Sequence, residues 1–156
     1  MNYWLMKSEP DTFSIDDLAR MPGKTEHWDG VRNYQARNMM RDEMKKGDQV
    51  FFYHSSCKEP GITGIAEVVK EGYPDFTAND PEGKYYDPQN DPDNPRWYMV
   101  DIRFIRKLMR TISLTELKQY KGLSDMRLLA RGNRLSIMPV SKKHWEFILK
   151  LEHKST

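Results

Sequence analysis

Apolar and polar residues alternate most regularly in one stretch of the second half of the chain, beginning at Trp97. The apolar members of this stretch are Val100, Ile102 and Phe104, and the polar members between them are Asp101 and Arg103. Such an alternation places one set of side chains on each face of a strand. The pattern therefore predicts a half-buried β-strand.

Other short apolar runs predict further strands. They are rich in valine, isoleucine and aromatic residues, which favour the pleated state. The predicted strands are Tyr3–Lys7, Gln49–His54 and Ile62–Lys70, and two extended pieces, Leu128–Arg131 and Arg134–Val140, flank the turn-compatible pair Gly132-Asn133.

Helices are indicated by capping residues followed by apolar residues at helical spacing. Ser14 with Asp17, and Ser113 with Glu116, have the spacing of capping boxes. They predict short helices that end near Arg20 and Gly122. A longer helix is predicted over 33–46, where Ala36, Met40 and Met44 recur every four residues. Ser141 is expected to cap a last helix with Trp145, Ile148 and Leu149 on one face.

The segment from Tyr73 to Arg96 fits no regular element, because it contains five prolines among many Asp and Asn residues. Loops of this length are uncommon in a compact domain unless their own contacts order them. Its aromatic residues, Tyr73, Phe76, Tyr85 and Tyr86, favour an ordered loop.

The strands dominate the middle of the chain, and the helices are short. We therefore predict an α+β fold, a small mixed β-barrel with short flanking helices. A chain of 156 residues is expected to form a single domain, residues 1–156.

Composition adds few constraints on function. The net charge of +2 is too small to establish a nucleic-acid partner, although it allows one if the positive charge lies on one face. Cys57 is the single cysteine, so an internal disulfide is excluded and a reducing compartment, cytoplasm or nucleus, is expected. We find no signal peptide and no apolar run long enough to cross a bilayer, which predicts a soluble cytoplasmic protein without a membrane partner.

Signals for catalysis and for metals are weak. His54 and Cys57 form the one pair that resembles an activated nucleophile, and no third orienting group is evident. The remaining histidines lack the spacing of zinc ligands. We therefore predict no catalytic residue, no metal and no cofactor, with a small-molecule enzyme using Cys57 and His54 as an alternative.

The stretch EHWDGVRNYQARNMM, residues 26–40, is the strongest candidate for binding. It places Trp28 on a loop beside the Asp29-Gly30 turn, where the indole could stack on a nucleobase. Discrimination of a base needs donors and acceptors at its edge, for which Ser8, Glu9, Asn33 and Ser55 are candidates. Arg32, Arg37 and Arg41 could bind the adjoining phosphates. Packing of Trp28 in the core, and an ordinary solvated face for the arginines, are the alternatives.

Six ordered strings together resemble the EVE domain, a member of the PUA-like superfamily related to YTH domains. They are YWLMKSEP, WDGVRNYQARN, GDQVFFYHS, PGITGIAEVV, YDPQNDPDNPRWYMVD and GNRLSIMPVS. The resemblance covers nearly the whole chain. It implies a PUA-like barrel with a pocket similar to the one that holds methylated adenine in YTH domains.

The resemblance also implies a ligand and a set of pocket residues. EVE domains are linked with modified bases, especially methylated or hydroxymethylated cytosine in DNA. Trp28 matches the first cage tryptophan of the YTH pocket, Lys7-Ser8 matches the end of its first strand, and Glu9 could accept a hydrogen bond from the cytosine amine. The other walls of the cage are not aligned; Pro74, Trp97 and Leu135 are candidates. The predicted pocket residues are Lys7, Ser8, Glu9, Trp28, Asn33, Tyr53, Ser55, Trp97 and Leu135.

The sequence thus predicts a non-catalytic reader of modified nucleobases in DNA or RNA, with a restriction or RNA-modification protein as a possible partner. A general RNA-binding accessory module is a further alternative. Neither the particular modification nor the oligomeric state is indicated by the sequence.

Overall fold

The computed structural model describes residues 1–154, and its centre is one six-stranded sheet. In spatial order the strands are β2, β5, β4, β3, β1 and β6. Their bounds are Tyr3–Ser8 (β1), Thr25–His27 (β2), Gln49–His54 (β3), Gly61–Pro74 (β4), Tyr98–Ser113 (β5) and Ile137–Val140 (β6). All the strands predicted in the first 113 residues are confirmed, and β4 and β5 are longer than predicted.

The sheet is mixed, as predicted. Strands β1 and β3 run parallel, and the other neighbours are antiparallel. Among the described residues, the edge strands β2 and β6 are not paired with each other, so the sheet is not closed. The parallel pair brings the ends of β1 and β3 together, with Ser8 opposite His54.

Four short helices flank the sheet: Ile15–Arg20 (α1), Tyr34–Asn38 (α2), Leu114–Leu117 (α3) and Lys142–Leu151 (α4). The capping box of Ser14 and Asp17 is formed as predicted, and Ser141 caps α4. The Ser113 side chain accepts from the Glu116 N–H, but the Glu116 carboxylate binds Arg110 instead of completing the box.

Two predictions of secondary structure are wrong in detail. The helix predicted over 33–46 is α-helical only over Tyr34–Asn38 and continues as a π-helical turn over Met39–Glu43. The strand predicted at Leu128–Arg131 is instead a turn of 3-10 helix at Arg127–Leu129, which buries Leu128 in the core on the second face of the sheet. An apolar run this short has no periodicity that distinguishes a strand from a helix.

Apolar side chains cover both faces of the sheet. Alternation along β1 and β3 sends Met6 and Phe52 to one face and Leu5 and Phe51 to the other, and all four are fully buried. The first face packs against α1, α2 and the loop that carries Trp28. The second packs against α3 and α4. Both faces of the sheet are therefore covered by packed elements.

The long segment after β4 is ordered by its own contacts. It contains a 3-10 turn at Phe76–Asn79, and its anchor is Asp75, which is 2% exposed. The backbone N–H of Asp75 donates to the carbonyl of Trp97, and the Trp97 Nε1–H donates to Asp87 at 2.7 Å. These hydrogen bonds join the start, the middle and the end of the segment.

No helix within residues 1–154 is both long and apolar enough to cross a bilayer.

Candidate functional site

A cavity of about 660 Å³ opens where β1 ends, β2 ends and α2 begins. This volume lies within the ordinary range of small-molecule sites. Its lining comes from four separate parts of the chain: Lys7, Ser8, Glu9, Thr12, Phe13, Glu26, His27, Trp28, Asp29, Gly30, Val31, Arg32, Asn33, Lys84, Tyr85 and Ser136.

Trp28 forms an apolar wall of this cavity. It follows β2 directly, and its backbone N–H donates to the carbonyl of Val100 at 2.8 Å. Phe52 packs edge-on against the indole at 5.6 Å between ring centroids, and Phe13 does so at 6.4 Å. The side chain is 9% exposed, so it is packed on its other sides while it still lines the cavity. Trp28 therefore belongs to the buried core on the first face of the sheet, and it also lines the cavity.

The end of β1 supplies polar groups to the cavity. The Lys7 N–H donates to Ser136 O, and the Ser8 hydroxyl donates to Phe13 O, so both residues are fixed by neighbouring segments. Burial lowers the pKa of the Lys7 ammonium, because water solvates it less in this position. Glu9 remains exposed at the rim.

The Asp29-Gly30 turn is tied to the long segment by a buried carboxylate. Asp75 Oδ2 accepts from the Gly30 N–H at 2.8 Å and from Arg32 Nη1 at 3.1 Å, and Arg32 Nη2 donates to Tyr85 O. The turn requires glycine, since Gly30 has a φ of +79° and a Cβ there would lie 2.5 Å from the Tyr85 ring. Tyr85 is thereby seated against the turn.

Asn33 presents one defined polar group to the cavity. Its Oδ1 accepts from the Ala36 N–H at 2.9 Å and caps α2. Because the carbonyl oxygen is used by the cap, the Asn33 Nδ2 group is the one left to act as a donor.

Acidic and basic groups are balanced along the lining. Three carboxylates, Glu9, Glu26 and Asp29, stand with three cationic side chains, Lys7, Arg32 and Lys84. Burial raises the pKa of the Asp29 carboxyl, with the nearby His27 acting in the opposite direction. Such a lining suits a neutral ring with both donors and acceptors at its edge better than it suits a phosphate.

The structure brings together five of the nine predicted pocket residues: Lys7, Ser8, Glu9, Trp28 and Asn33. The other four do not line the cavity. Tyr53 is buried in the core on the second face of the sheet, and Ser55 follows β3, where its N–H donates to Ser8 O. Trp97 is buried against Tyr34, and Leu135 lies on the far side of Asn33 in a second groove. Pro74 is exposed at the end of β4.

Each arginine predicted to bind phosphate has a partner within the chain. Arg32 is held by Asp75 and Tyr85, as described above. Arg37 donates to the carbonyl of Arg96 and to Asn38, and Arg41 makes a bidentate pair with Asp42 at 2.8 Å. Their role in phosphate binding stays a prediction.

His54 and Cys57 are not joined by a hydrogen bond among the contacts of residues 1–154. The Ile15 N–H instead donates to His54 Nε2 at 3.1 Å, so the imidazole caps α1. Burial lowers the pKa of His54, which favours the neutral ring that this bond requires. Within the same residues, no group of three or more His, Cys, Asp or Glu side chains could hold a metal ion.

The sequence did not assign Phe13, Lys84, Tyr85 or Ser136 to the site. These residues come from segments distant in sequence from Trp28, and only the folded chain brings them together. The one available signal was the aromatic content of the long segment, which predicted order but not the position of Tyr85.

With this geometry established, comparison with known proteins identifies the family. The EVE domain model matches residues 2–151, and the chain belongs to the EVE domain family. Thymocyte nuclear protein 1 of Danio rerio is 51% identical, with 96% of this chain and 71% of the relative covered. The Homo sapiens protein of the same name is 48% identical, with 98% and 75% covered.

Solved structures show the same fold. The crystal structure of human THYN1 protein in complex with DNA containing 5-methylcytosine has a TM-score of 0.95 and 47% identity, and all of both chains is covered. A YTH domain of Zygosaccharomyces rouxii, solved with N6-methyladenosine RNA, has a TM-score of 0.57 and 14% identity over 99% of this chain and 86% of that one, a similarity of fold alone. The predicted PUA-like fold is confirmed.

Proposed function

We propose that this protein is a non-catalytic reader that binds methylated cytosine in DNA, with the modified base in the Trp28 cavity. The observation that carries the proposal is the cavity itself, which combines a rigid indole wall with fixed polar groups and a balanced charge. The 47%-identical human protein, whose crystal structure contains 5-methylcytosine DNA, supports this choice of ligand.

The lining residues suggest a role for each part of the base. The indole of Trp28 stacks on the pyrimidine ring, and a methyl group on that ring adds apolar surface for the same wall. Glu9 accepts a hydrogen bond from the exocyclic amine of cytosine, and the Asn33 Nδ2 group donates to an acceptor on the base edge. The Lys7 ammonium provides a further donor at the floor of the cavity. The Ser8 hydroxyl donates its proton to Phe13 O, so its oxygen is left to act as an acceptor.

The test is a comparison of Trp28→Ala with the unaltered protein on matched oligonucleotides. Base stacking contributes about 1–3 kcal/mol, so we expect a loss of roughly 5-fold to 150-fold in affinity for single-stranded DNA with one 5-methylcytosine. Affinity for the same strand with plain cytosine should fall much less. Fluorescence anisotropy measures both constants, and Tyr86→Ala, an exposed ring of the long segment outside the lining, is the control.

The same panel separates the alternatives. Hydroxymethylcytosine in DNA and methylated bases in RNA are included as further ligands. If Trp28→Ala weakens modified and plain strands equally, the protein is a general nucleic-acid binder and the proposed reader is refuted. The enzyme alternative is tested with the double variant Cys57→Ser with His54→Ala. Full retention of enzymatic turnover in this variant would exclude Cys57 and His54 as the catalytic pair.

A reader without catalytic groups acts through another protein. We propose a downstream partner of the restriction or RNA-modification type, and co-purification with the tagged chain tests for it. Loss of that partner upon removal of the modified nucleic acid would show that binding is bridged rather than direct.

A further inference from the structure

A second groove of about 420 Å³ adjoins the Trp28 cavity, and Asn33 lines both. The groove lies between the start of α2 and the turn that precedes β6. We call it the arginine groove; its lining is Asn33, Gln35, Arg127, Ala130, Arg131, Gly132, Asn133, Arg134 and Leu135. The two recesses therefore adjoin at Asn33.

The charge of the arginine groove differs from that of the cavity. Three exposed guanidinium groups, those of Arg127, Arg131 and Arg134, line it, and its lining contains no carboxylate. Within residues 1–154 none of the three forms an ion pair. This sets them apart from Arg32 and Arg41, whose charges are already paired with Asp75 and Asp42.

The turn that carries these arginines is held in place by Asn133. Its Nδ2 group donates to Arg127 O at 2.8 Å, and its Oδ1 accepts from the Leu135 N–H at 3.1 Å. Leu135 packs against the cores on both faces of the sheet. The positive charges are thus mounted on a fixed support beside the cavity mouth.

We propose that the arginine groove binds the sugar-phosphate backbone of the strand whose base occupies the Trp28 cavity. Guanidinium groups bind phosphate oxygens without regard to sequence, whereas the cavity reads the base. A base turned into the cavity keeps its flanking phosphates close to the mouth, where Asn33 joins the two recesses. This assignment rests on the proposed function. It adds the path that the nucleic-acid strand takes as it leaves the base site.

The test uses a triple variant, Arg127→Gln, Arg131→Gln and Arg134→Gln, and the salt dependence of its affinity for a 5-methylcytosine single strand. Each phosphate contact on a single strand contributes about 0.7 to the slope of log affinity against log salt. Loss of three contacts should therefore flatten the slope by about 2 and weaken binding about 100-fold at 0.1 M salt, with little effect at 1 M. Plain cytosine strands should lose the same factor.

Two controls make the result specific. A triple variant of exposed lysines, Lys118→Gln, Lys121→Gln and Lys150→Gln, removes the same total charge outside both recesses. A double variant, Arg37→Gln with Arg41→Gln, tests the phosphate contacts predicted from the sequence. An unchanged slope for the groove variant, or an equal change for the lysine variant, overturns the proposal.

The preference for 5-methylcytosine over cytosine distinguishes this proposal from the reader function. We expect the groove variant to keep that preference while its overall affinity falls. If the unaltered protein shows no preference but the groove variant still flattens the slope, the reader function fails and the backbone site stands.

Discussion

Lys7 and Asp29 are charged side chains that the fold holds partly away from water at the Trp28 cavity. Burial lowers the pKa of Lys7 and raises that of Asp29, so in both cases the fold disfavours the charged form. Neither shift stabilises the folded chain near neutral pH, because each charged group loses hydration there. The burial of these two charges therefore does not add to the stability of the fold.

Gly30 lies in a turn against which the Tyr85 ring packs. We expect Gly30→Ala to lower the free energy of unfolding by more than the roughly 1–2 kcal/mol that a positive φ costs an L residue, because its Cβ also meets the Tyr85 ring. Displacement of Tyr85 should also weaken binding of 5-methylcytosine DNA. Urea denaturation measures the first effect, and anisotropy measures the second.

Gly132 is a matched control, since it has the same φ of +79° and nothing lies within 4 Å of its Cβ position. Gly132→Ala should show the backbone cost alone. The double variant Gly30→Ala with Tyr85→Ala should recover the excess destabilisation. Equal losses for the two single alanine variants would show that Tyr85 is not packed against the turn.

At the scale of elements, one buried carboxylate joins the end of α4 to β5. Glu152 is 3% exposed, makes a bidentate pair with Arg106 at 2.8 and 2.7 Å, and accepts from the Met109 N–H. The hydrogen bonds from Arg106 lower the pKa of Glu152 below its ordinary value of 4.5. This pair fixes the helix that covers the second face of the sheet.

Glu152→Gln should therefore lower the free energy of unfolding by about 1–2 kcal/mol at pH 7, a value reduced because Arg106 is partly exposed to solvent. A carboxyl with a lowered pKa stabilises the fold above its unfolded pKa and loses that effect as pH falls through its folded pKa. The difference between the two proteins should accordingly shrink towards zero below about pH 4.5. Denaturant titrations at several pH values measure it.

The exposed Glu146 on the same helix, whose nearest cation is Lys142 at 4.0 Å, is the control. Glu146→Gln should change stability by less than about 0.5 kcal/mol at every pH, as expected for a solvated pair. A stability difference for Glu152→Gln that does not depend on pH would show that packing, and not the ion pair, accounts for it.

The elements with a clear local pattern were predictable from the sequence, and those determined by distant contacts were not. Alternation near Val100 and the capping box at Ser14 are local, and both were confirmed. The turn at Arg127–Leu129 forms because Leu128 is buried in the second core, which no short window of sequence reveals. The extension of β4 to Pro74 likewise depends on pairing with Tyr98 across the sheet.

Some residues of the candidate site could likewise be predicted from the sequence, and others could not. Trp28 and Asn33 lie in one stretch of sequence, and Lys7 and Ser8 were placed by resemblance, so these residues were predictable. Tyr85 reaches the cavity only because Asp75 ties two segments together over 45 residues of chain. Trp97 shares the chemistry of a cage residue, but its hydrogen bond to Asp87 places it elsewhere.

In the molecule as a whole, both faces of the sheet are covered by other elements, and the Trp28 cavity is a recess and not a flat surface. A paired base presents only its groove edges, so a cytosine in a duplex must leave the stack before its ring can face Trp28. Extrusion costs a few kcal/mol and is cheapest for a mismatched or unpaired base.

We therefore expect 5-methylcytosine opposite a mismatched base, or in a single strand, to bind at least about 10-fold more tightly than the same base in a perfect duplex. Anisotropy with the three DNA forms at one salt concentration measures this ratio. Plain cytosine at the same mismatch is the control, because it reports any preference for distorted DNA that does not involve the methyl group. Equal affinity for the mismatched and the fully paired 5-methylcytosine would mean that the base is read in place, at the surface of the duplex, and the Trp28 cavity would then have to serve another ligand.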